Sequence, residues 1–299
     1  MNAVDRARCS LEGLSVGDAF GEQFFGPPDQ AAMLVTNRIV PENEWPFTDD
    51  TNMALSICAC LARYGKVEQD WLAADFAKRY DPLRDYGGAM HSYLECIRKG
   101  ADWRVEAPEL FCGEGSFGNG AAMRVAPVGA YFADDLQAVV DNARRSAEVT
   151  HAHPEGIAGA VAVAAAAAWA SRLRGESRRP SEREFLDLIL PLVPDSKVRE
   201  GIRQSRDLTP GCPIQQVAAA LGNGSGESAQ DTVPFALWCA ACHMDDYVEA
   251  LWLTVGGLGD RDTTCAIVGG IVASYTGTKA IPAQWLRNRE PLPKGAFQP

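Results

Sequence analysis

The sequence predicts an all-α fold: a single compact multi-helix domain with essentially no β-sheet. Apolar residues recur at helical spacing along the chain, and alternating strand-like runs are nearly absent. The length of 299 residues is within the range of one domain and is ample for a large core. The polar breaks at 172–183, 206–213 and 222–230 are short and flanked by helical segments, so they are typical of surface loops. We therefore expect residues 1–299 to form one domain.

The elements follow in order from the apolar periodicity and from local start signals. Ser181 and Glu184 form a capping box, and Pro154 occupies a position that tolerates proline at a helix start. Residues 156–170 carry mostly Ala and Gly between larger side chains, which predicts a central helix that others approach closely. The tail at 291–299 is expected to be extended. The predicted helices span residues 4–24, 49–64, 70–79, 87–99, 119–130, 135–148, 154–173, 182–190, 196–204, 213–221, 230–243, 245–254 and 263–275.

Composition narrows the class of protein. The net charge of −11 argues against a basic nucleic-acid-binding surface. The start of the chain lacks the pattern of a signal peptide, and the longest apolar run, 157–170, is too short and too Ala-rich for a membrane span. The nine cysteines lie mostly in apolar segments, as small buried side chains in a reducing cytosol do. We expect a cytoplasmic monomer without a membrane partner and without a basic nucleic-acid-binding surface.

Two acidic clusters, Thr48–Asp50 and Asp260–Thr263, each precede a strongly apolar helical stretch. Helices that apolar lie in the interior, so the first turns place four carboxylates inside or at the rim of the core. Buried carboxylates are costly unless they are paired with cations or a metal. Because no run of Lys or Arg lies beside either cluster, a hard divalent cation held by oxygen ligands is the economical explanation.

Each cluster alone also fits a simpler interpretation. A threonine N-cap followed by acids that interact favourably with the helix dipole needs no metal. Taken together, the clusters offer four carboxylates and two threonine hydroxyls, which suffice for two adjacent metals that keep several waters, in the manner of Mg²⁺. A dinuclear site of this kind orients substrate oxygens and activates water, which points to hydrolysis.

Two further segments are candidates for substrate binding. The glycine-rich stretch 115–120 precedes a helix, and its backbone N–H groups could hold an anion such as phosphate, although a plain tight turn fits equally well. Arg124 follows it, and pairing with an acid is favoured there over a phosphate contact. The segment 150–156 holds His151 and His153, whose spacing offers no zinc site. A single active-site histidine or a capping role for His153 is favoured.

The end of the first helix carries Asp18 and Glu22, which are four residues apart and share a helix face. A solvated surface face is the simple interpretation. The alternative is a carboxylate pair that lies over the metal site.

Five motifs in order resemble the ADP-ribosylglycohydrolase family, which includes the dinitrogenase-reductase-activating enzymes. They extend over nearly the whole chain. Any one of them is weak evidence, whereas five in family order are specific. The motifs are Gly-Asp-Ala-Phe-Gly at 17–21, Phe-Thr-Asp-Asp-Thr at 47–51, Ser-x-Gly-Asn-Gly-Ala-Ala-Met-Arg at 116–124, Thr-His-x-His-Pro-Glu-Gly at 150–156 and Gly-Asp-Arg-Asp-Thr-Thr at 259–264.

The resemblance implies a compact all-α fold with two Mg²⁺ ions, or Mn²⁺, and hydrolysis of the bond between the ribose anomeric carbon and its acceptor. The substrate would be an ADP-ribosylated protein or an ADP-ribose-containing small molecule. Glu22, Asp49 and Asp262 are the expected catalytic carboxylates. The metal ligands implied by motif position are Thr48, Asp49, Asp50, Asp260, Asp262 and Thr263. The residues implied in binding the ADP-ribosyl diphosphate are Ser116, Gly118, Asn119, Gly120 and His151.

One position departs from the family pattern. Many members carry Glu four residues after the last glycine of Gly-Asp-Ala-x-Gly, and this chain has Phe25 there. A milder change places Phe47 where Trp is common. Either Glu22 takes the role of the missing acid, or the chain belongs to a branch with a different nucleotide-sugar or glycosidic substrate. A non-catalytic ADP-ribose-binding protein is the remaining alternative, and the intact ligand sets argue against it.

Overall fold

Helices account for most of the structure, a computed structural model that describes residues 1–208 and 211–293. This part of the chain contains no β-strand, only the isolated bridges Trp45–Arg289 and Gly118–Ser228, so the predicted all-α class is confirmed. The α-helices, numbered α1 to α17 in chain order, are Ala3–Glu22, Pro28–Thr36, Asp49–Tyr64, Gln69–Arg79, Gly88–Arg98, Trp103–Gly113, Gly120–Met123, Ala126–Tyr131, Leu136–Glu148, Pro154–Leu173, Glu182–Ile189, Lys197–Arg206, Ile214–Leu221, Ala229–Cys242, Tyr247–Val255, Arg261–Thr276 and Ala283–Asn288. Short 3₁₀ turns span Leu190–Leu192 and Thr278–Ala280.

The structure corrects the predicted elements in two ways. Helices α2, α6 and α17 were not predicted: α2 and α17 have only nine and six residues, and α6 contains Pro108. The single helix predicted at 119–130 is two helices, α7 and α8. Pro127 has no backbone N–H to donate to residue 123, so α7 ends there and α8 begins with the proline in its first turn. The capping box at Ser181 and the proline start at Pro154 form as predicted.

Helices α1 and α16 pack closely against each other. Gly13, Gly17 and Gly21 lie along one face of α1, and each abuts the backbone of α16. A Cβ atom at Gly17 would lie 2.1 Å from the Cys265 carbonyl oxygen, so only glycine permits this approach. The close packing sets the C-terminal turn of α1 directly beside Asp262 in the first turn of α16.

Helix α10 is the central helix that its composition predicts. Its small residues are almost all fully buried, and it packs against α7, α8, α9, α14 and α16. Within the described residues it is also the helix with the length and hydropathy to cross a membrane. Its most apolar window is 72% buried inside the protein, which is typical of a core helix. Most of the C-terminal tail, from residue 294 on, is outside the described residues.

Candidate active site

A cavity of about 570 Å³ opens between the N-terminal ends of α3 and α16 and the glycine-rich loop at 115–120. It brings together most of the residues selected from the sequence. The selected residues that line it are Asp49, Ser116, Gly118, Asn119, Gly120, His151, Asp260, Asp262 and Thr263. Thr48 and Asp50 are buried behind this lining, at the start of α3.

The start of α3 is held in place by Asp18, which comes from α1. Both carboxylate oxygens of Asp18 accept hydrogen bonds from the backbone N–H of Thr48, and Thr48 Oγ1 donates to Oδ1 over 2.9 Å. Thr51 donates to Oδ2 through its backbone N–H over 3.0 Å and through its hydroxyl over 2.5 Å. Asp18 is fully buried, so the interpretation of its helix face as a solvated surface is wrong for this residue.

The two acidic clusters meet in space. Thr263 Oγ1 from the second cluster lies 3.5 Å from Asp50 Oδ2 of the first, and Thr48 Oγ1 lies 3.1 Å from the same oxygen. Asp260 is tied to the glycine-rich loop, because Asn119 Nδ2 donates to its Oδ2 over 2.6 Å. Two helix starts that are about two hundred residues apart in the sequence therefore form one polar centre.

Burial makes this centre electrostatically unfavourable. Burial first, and then neighbouring carboxylates such as Asp262, raise the pKa of Asp49 and Asp260 well above the usual range. Burial, and next the charge of Asp18, do the same to the pKa of Asp50, while the pKa of Asp18 rises to about 7. None of these carboxylates has an ion-pair partner within residues 1–208 and 211–293. Positive charge from outside the chain would relieve the repulsion.

The donor set fits a hard divalent cation. Asp50 Oδ1 and Asp262 Oδ1 are buried oxygens without a hydrogen-bond partner, which is costly unless a cation or water occupies the space beside them. The candidate ligands are all carboxylate and hydroxyl oxygens, the type that Mg²⁺ binds. Among the described side chains no three of the His, Cys, Asp and Glu type converge tightly enough to enclose one metal ion. Two of the six candidate ligands are threonines, which supply hydroxyl oxygens and are not residues of that type.

Glu22 lies at the C-terminal end of α1, half-buried beside the centre without lining the cavity. Burial, then the charges of Asp262, Asp85 and Asp18, raise the pKa of Glu22 to about 8. Phe25, at the position of the missing family glutamate, is 46% exposed, and the guanidinium of Arg261 lies over its ring at 4.8 Å from the centroid. Phe25 therefore supplies no acid at this helix end, and Glu22 is the candidate for that role.

The glycine-rich loop is shaped by contacts with two other segments. Ser116 Oγ accepts a hydrogen bond from the Gly118 N–H, and the Asn119 N–H donates to the carbonyl of Glu227. Gly118 and Gly120 pack against the His151 ring, since a Cβ atom at either would lie 3.3 Å or less from ring atoms. Glycine at these positions lets the histidine reach the cavity.

Arg124 and His151 are buried behind the loop. Arg124 donates to the carbonyls of Gly120 and Ser146 and to Thr150 Oγ1, so the favoured pairing with an acid is wrong. Burial, and then the charge of Arg124, lower the pKa of His151 to about 3, so its ring is neutral at physiological pH. His153 accepts a hydrogen bond from Glu155 N and caps α10, as the capping alternative predicted.

Several cavity residues were not selected from the sequence. The segment 85–90 lines one wall, and Gly226 with Glu227 lines another. Phe111 and Phe117 are half-exposed at the mouth with ring centroids 6.1 Å apart. The glycine pair at 87–88 and the glycine run at 222–226 were available as signals of tight turns, whereas nothing in the sequence marks Phe111.

Comparison with known proteins identifies the family of this chain. The family model described as ADP-ribosylglycohydrolase matches residues 1–296. The chain is similar to ADP-ribosylhydrolase ARH3 from Homo sapiens, with 28% identity over 96% of this chain and 90% of that protein, and to ADP-ribosylhydrolase ARH3 from Xenopus tropicalis, with 28% identity over 96% and 91%. A solved structure titled ADP-ribosylglycohydrolase-related protein complex superimposes with a TM-score of 0.60 at 26% identity, over 96% of this chain and 93% of that chain. The chain belongs to the ADP-ribosylglycohydrolase family and is a hydrolase of that type.

Proposed function

We propose that this protein is a metal-dependent hydrolase that cleaves the glycosidic bond between ADP-ribose and an acceptor, either a protein side chain or a small molecule. The observation that carries the proposal is the meeting of two acidic helix starts at one cavity, with unpartnered buried oxygens on Asp50 and Asp262. Names of relatives that denote ADP-ribosylhydrolases support the choice of substrate.

Two Mg²⁺ ions, or Mn²⁺, are the proposed cofactors. Bound there, they would supply Lewis-acid polarisation of ribose hydroxyls and a water of lowered pKa. The start of α3 would contribute one half of the oxygen ligands and the start of α16 the other. The residues proposed to hold the metals are Thr48, Asp49, Asp50, Asp260, Asp262 and Thr263. Asp18 would act through Thr48, because the hydroxyl proton of Thr48 directed at Asp18 leaves an oxygen lone pair for a cation.

The rest of the cavity matches the other parts of an ADP-ribosyl group. The loop from Ser116 to Gly120 would hold the diphosphate, with His151 beside it. Phe111 and Phe117 at the mouth present ring faces on which a nucleobase can stack. The ribose would then reach the carboxylates at the inner end of the cavity.

The carboxylates would carry the proton transfers. Hydrolysis of a glycosidic bond passes through an oxocarbenium-like centre, with water attacking the anomeric carbon and a proton going to the departing acceptor. Asp49 and Asp262 line the cavity, which supports their proposed role in orienting the attacking water. Without metal, burial and then the charges of Asp262, Asp85 and Asp18 raise the pKa of Glu22 to about 8. We assign to Glu22 the donation of a proton to the departing acceptor, which requires the protonated form of its carboxyl group.

The test is release of ADP-ribose by the purified protein. Substrates carrying ADP-ribose on arginine, serine and nucleic acid, together with O-acetyl-ADP-ribose, are incubated with Mg²⁺ and separately with EDTA. We expect release from at least one of them, dependent on the metal. The proposal fails if none of the substrates is cleaved by protein shown to contain bound metal.

The presence of Phe25 favours a second candidate function, hydrolysis of a different bond by the same metals. The family glutamate is missing at this position, so the enzyme could instead cleave a related glycosidic or phosphoryl bond with the same metals. Turnover of a metabolite without an ADP-ribosyl group, with ADP-ribosylated substrates left intact, would identify this activity. Tight binding of ADP-ribose without turnover under any metal would instead identify a binding protein.

A further inference from the structure

Hydrogen bonds connect Arg124, Thr150 and His151 behind the glycine-rich loop. The first two residues are fully buried and His151 is nearly so. Arg124 Nη2 donates to Thr150 Oγ1 over 2.7 Å, and Thr150 Oγ1 lies 2.7 Å from His151 Nδ1. The direction of the second hydrogen bond follows from the chemistry of the first.

A guanidinium can only donate, so Thr150 Oγ1 is the acceptor from Arg124. The hydroxyl proton of Thr150 is then available for Nδ1 of His151, and within the described residues no other acceptor takes it. If Nδ1 carried the proton instead, Thr150 would accept two hydrogen bonds and its own buried proton would have no partner. Because the ring is neutral, its one proton is on Nε2.

The Nε2 side of the ring faces the cavity. A Cβ atom at Gly118 would lie 3.3 Å from Nε2, and one at Gly120 would lie 3.0 Å from it, and both glycines line the cavity together with His151. Nε2 makes no hydrogen bond to the part of the chain that the structure describes, and it is not sealed from the cavity. It is therefore a donor that a bound molecule can use.

We propose that Arg124 and Thr150 are positioning residues that fix His151 as the Nε2–H tautomer, so that it donates a hydrogen bond to an oxygen of the substrate. The identity of that oxygen rests on the proposed function: it is a phosphate oxygen of the ADP-ribosyl diphosphate, the anion that the adjacent loop would hold. His151 thus donates a hydrogen bond to a phosphate oxygen, and it takes no proton during hydrolysis.

The tautomer is measurable without substrate or metal. The chain has four histidines, so two-bond ¹H–¹⁵N correlation spectra of protein labelled with ¹⁵N-histidine resolve each ring, and His151→Gln assigns the signal. We expect the wild-type His151 ring to show a protonated Nε2 and an unprotonated Nδ1 at neutral pH. A protonated Nδ1 overturns the proposal.

Matched variants test the role of the hydroxyl. Thr150→Ser keeps the hydroxyl and should keep the tautomer, whereas Thr150→Val removes it and should leave a mixture. Calorimetry should show ADP-ribose binding about tenfold weaker to Thr150→Val than to Thr150→Ser, as expected for a hydrogen bond to a charged group. Adenosine, which lacks phosphate, should bind both equally. Equal ADP-ribose affinities, with both variants folded by circular dichroism, contradict the proposal.

The proposed function and the positioning role of Arg124 and Thr150 can fail separately. Protein with the expected tautomer but without binding or cleavage of ADP-ribosyl compounds retains the assignment of Arg124 and Thr150 and rejects the proposed substrate. Protein that cleaves ADP-ribosyl substrates while His151 carries its proton on Nδ1 retains the proposed function and rejects the positioning role.

Discussion

Asp262 connects the two halves of the site. Its side chain lines the cavity, one of its oxygens is buried without a partner, and its charge contributes to the raised pKa of Asp18, Glu22, Asp49 and Asp260. A carboxylate in this position is unfavourable for the stability of the metal-free protein. This position of Asp262 would be favourable once a cation is bound beside it.

Asp262→Ala is expected to abolish metal binding and to lower the rate of ADP-ribose release about a thousandfold or more, since the metals would supply several kcal/mol of transition-state stabilisation. The fold should be retained, because the substitution removes a repulsive charge. Metal content by mass spectrometry, activity and thermal unfolding are measured together. Asp195→Ala, at an exposed acid away from the cavity, is the control. Unchanged activity in Asp262→Ala would contradict the account.

A separate question is whether Glu22, in the absence of an acid at Phe25, donates the proton to the departing acceptor. Glu22→Gln keeps the size of the side chain but removes the proton that it would donate, and we expect kcat to fall about a hundredfold or more with KM little changed. The exposed Glu44→Gln serves as control. If kcat of Glu22→Gln equals that of the wild type, the acid comes from elsewhere and the departure at Phe25 has another meaning.

At the scale of elements, the site depends on the close approach of α1 and α16. Asp18 and Glu22 come from α1 and Asp262 from α16, and the glycines of α1 bring these helix ends together. The same pair of helices therefore supports both the core and the carboxylate centre. A side chain inserted between them should affect both.

Gly17→Ala places a methyl group where the nearest atom, the Cys265 carbonyl oxygen, is 2.1 Å away. The helices must separate, and overpacking of this kind costs about 3 kcal/mol in the free energy of unfolding. Metal affinity should fall with it, because the two helix ends move apart. Gly88→Ala, where nothing lies within 4 Å of the new Cβ, is the matched control in urea unfolding. Equal stabilities of the two variants would refute the close-packing argument.

At the scale of the whole molecule, the buried carboxylates predict how stability depends on pH without metal. The folded-state pKa values of Asp18, about 7, and Glu22, about 8, lie above the values near 4 of the unfolded chain. The folded protein therefore binds more protons between these limits, and the free energy of unfolding must fall as pH rises from about 4 to 8, by about 1.4 kcal/mol per pH unit for each such proton.

Thermal unfolding in EDTA and in Mg²⁺ across this pH range checks the prediction. In EDTA the melting temperature should decrease with rising pH, and the stabilisation by Mg²⁺ should increase, because the cation replaces the protons. A melting temperature in EDTA that rises over the same range would show that the carboxylates are not buried together.

The sequence was sufficient for the fold class, for most helices and for the location of the candidate site. Long apolar periodicity predicted α1, α3, α10 and α16, and helix-start chemistry marked both acidic clusters. The sequence was insufficient where tertiary contacts determine whether a side chain is buried and which groups it contacts. The burial of Asp18 depends on the glycine contacts of α1, and the role of Arg124 depends on carbonyls of Gly120 and Ser146, which no local pattern reveals.

The most direct test is a crystal structure of the protein with Mn²⁺ and ADP-ribose, in which anomalous scattering locates the metals. We expect two Mn²⁺ sites between the starts of α3 and α16, with Asp50 and Asp262 among the ligands and the Glu22 carboxylate reaching the site. ADP-ribose bound in the cavity without a metal between these helix starts would contradict this expectation.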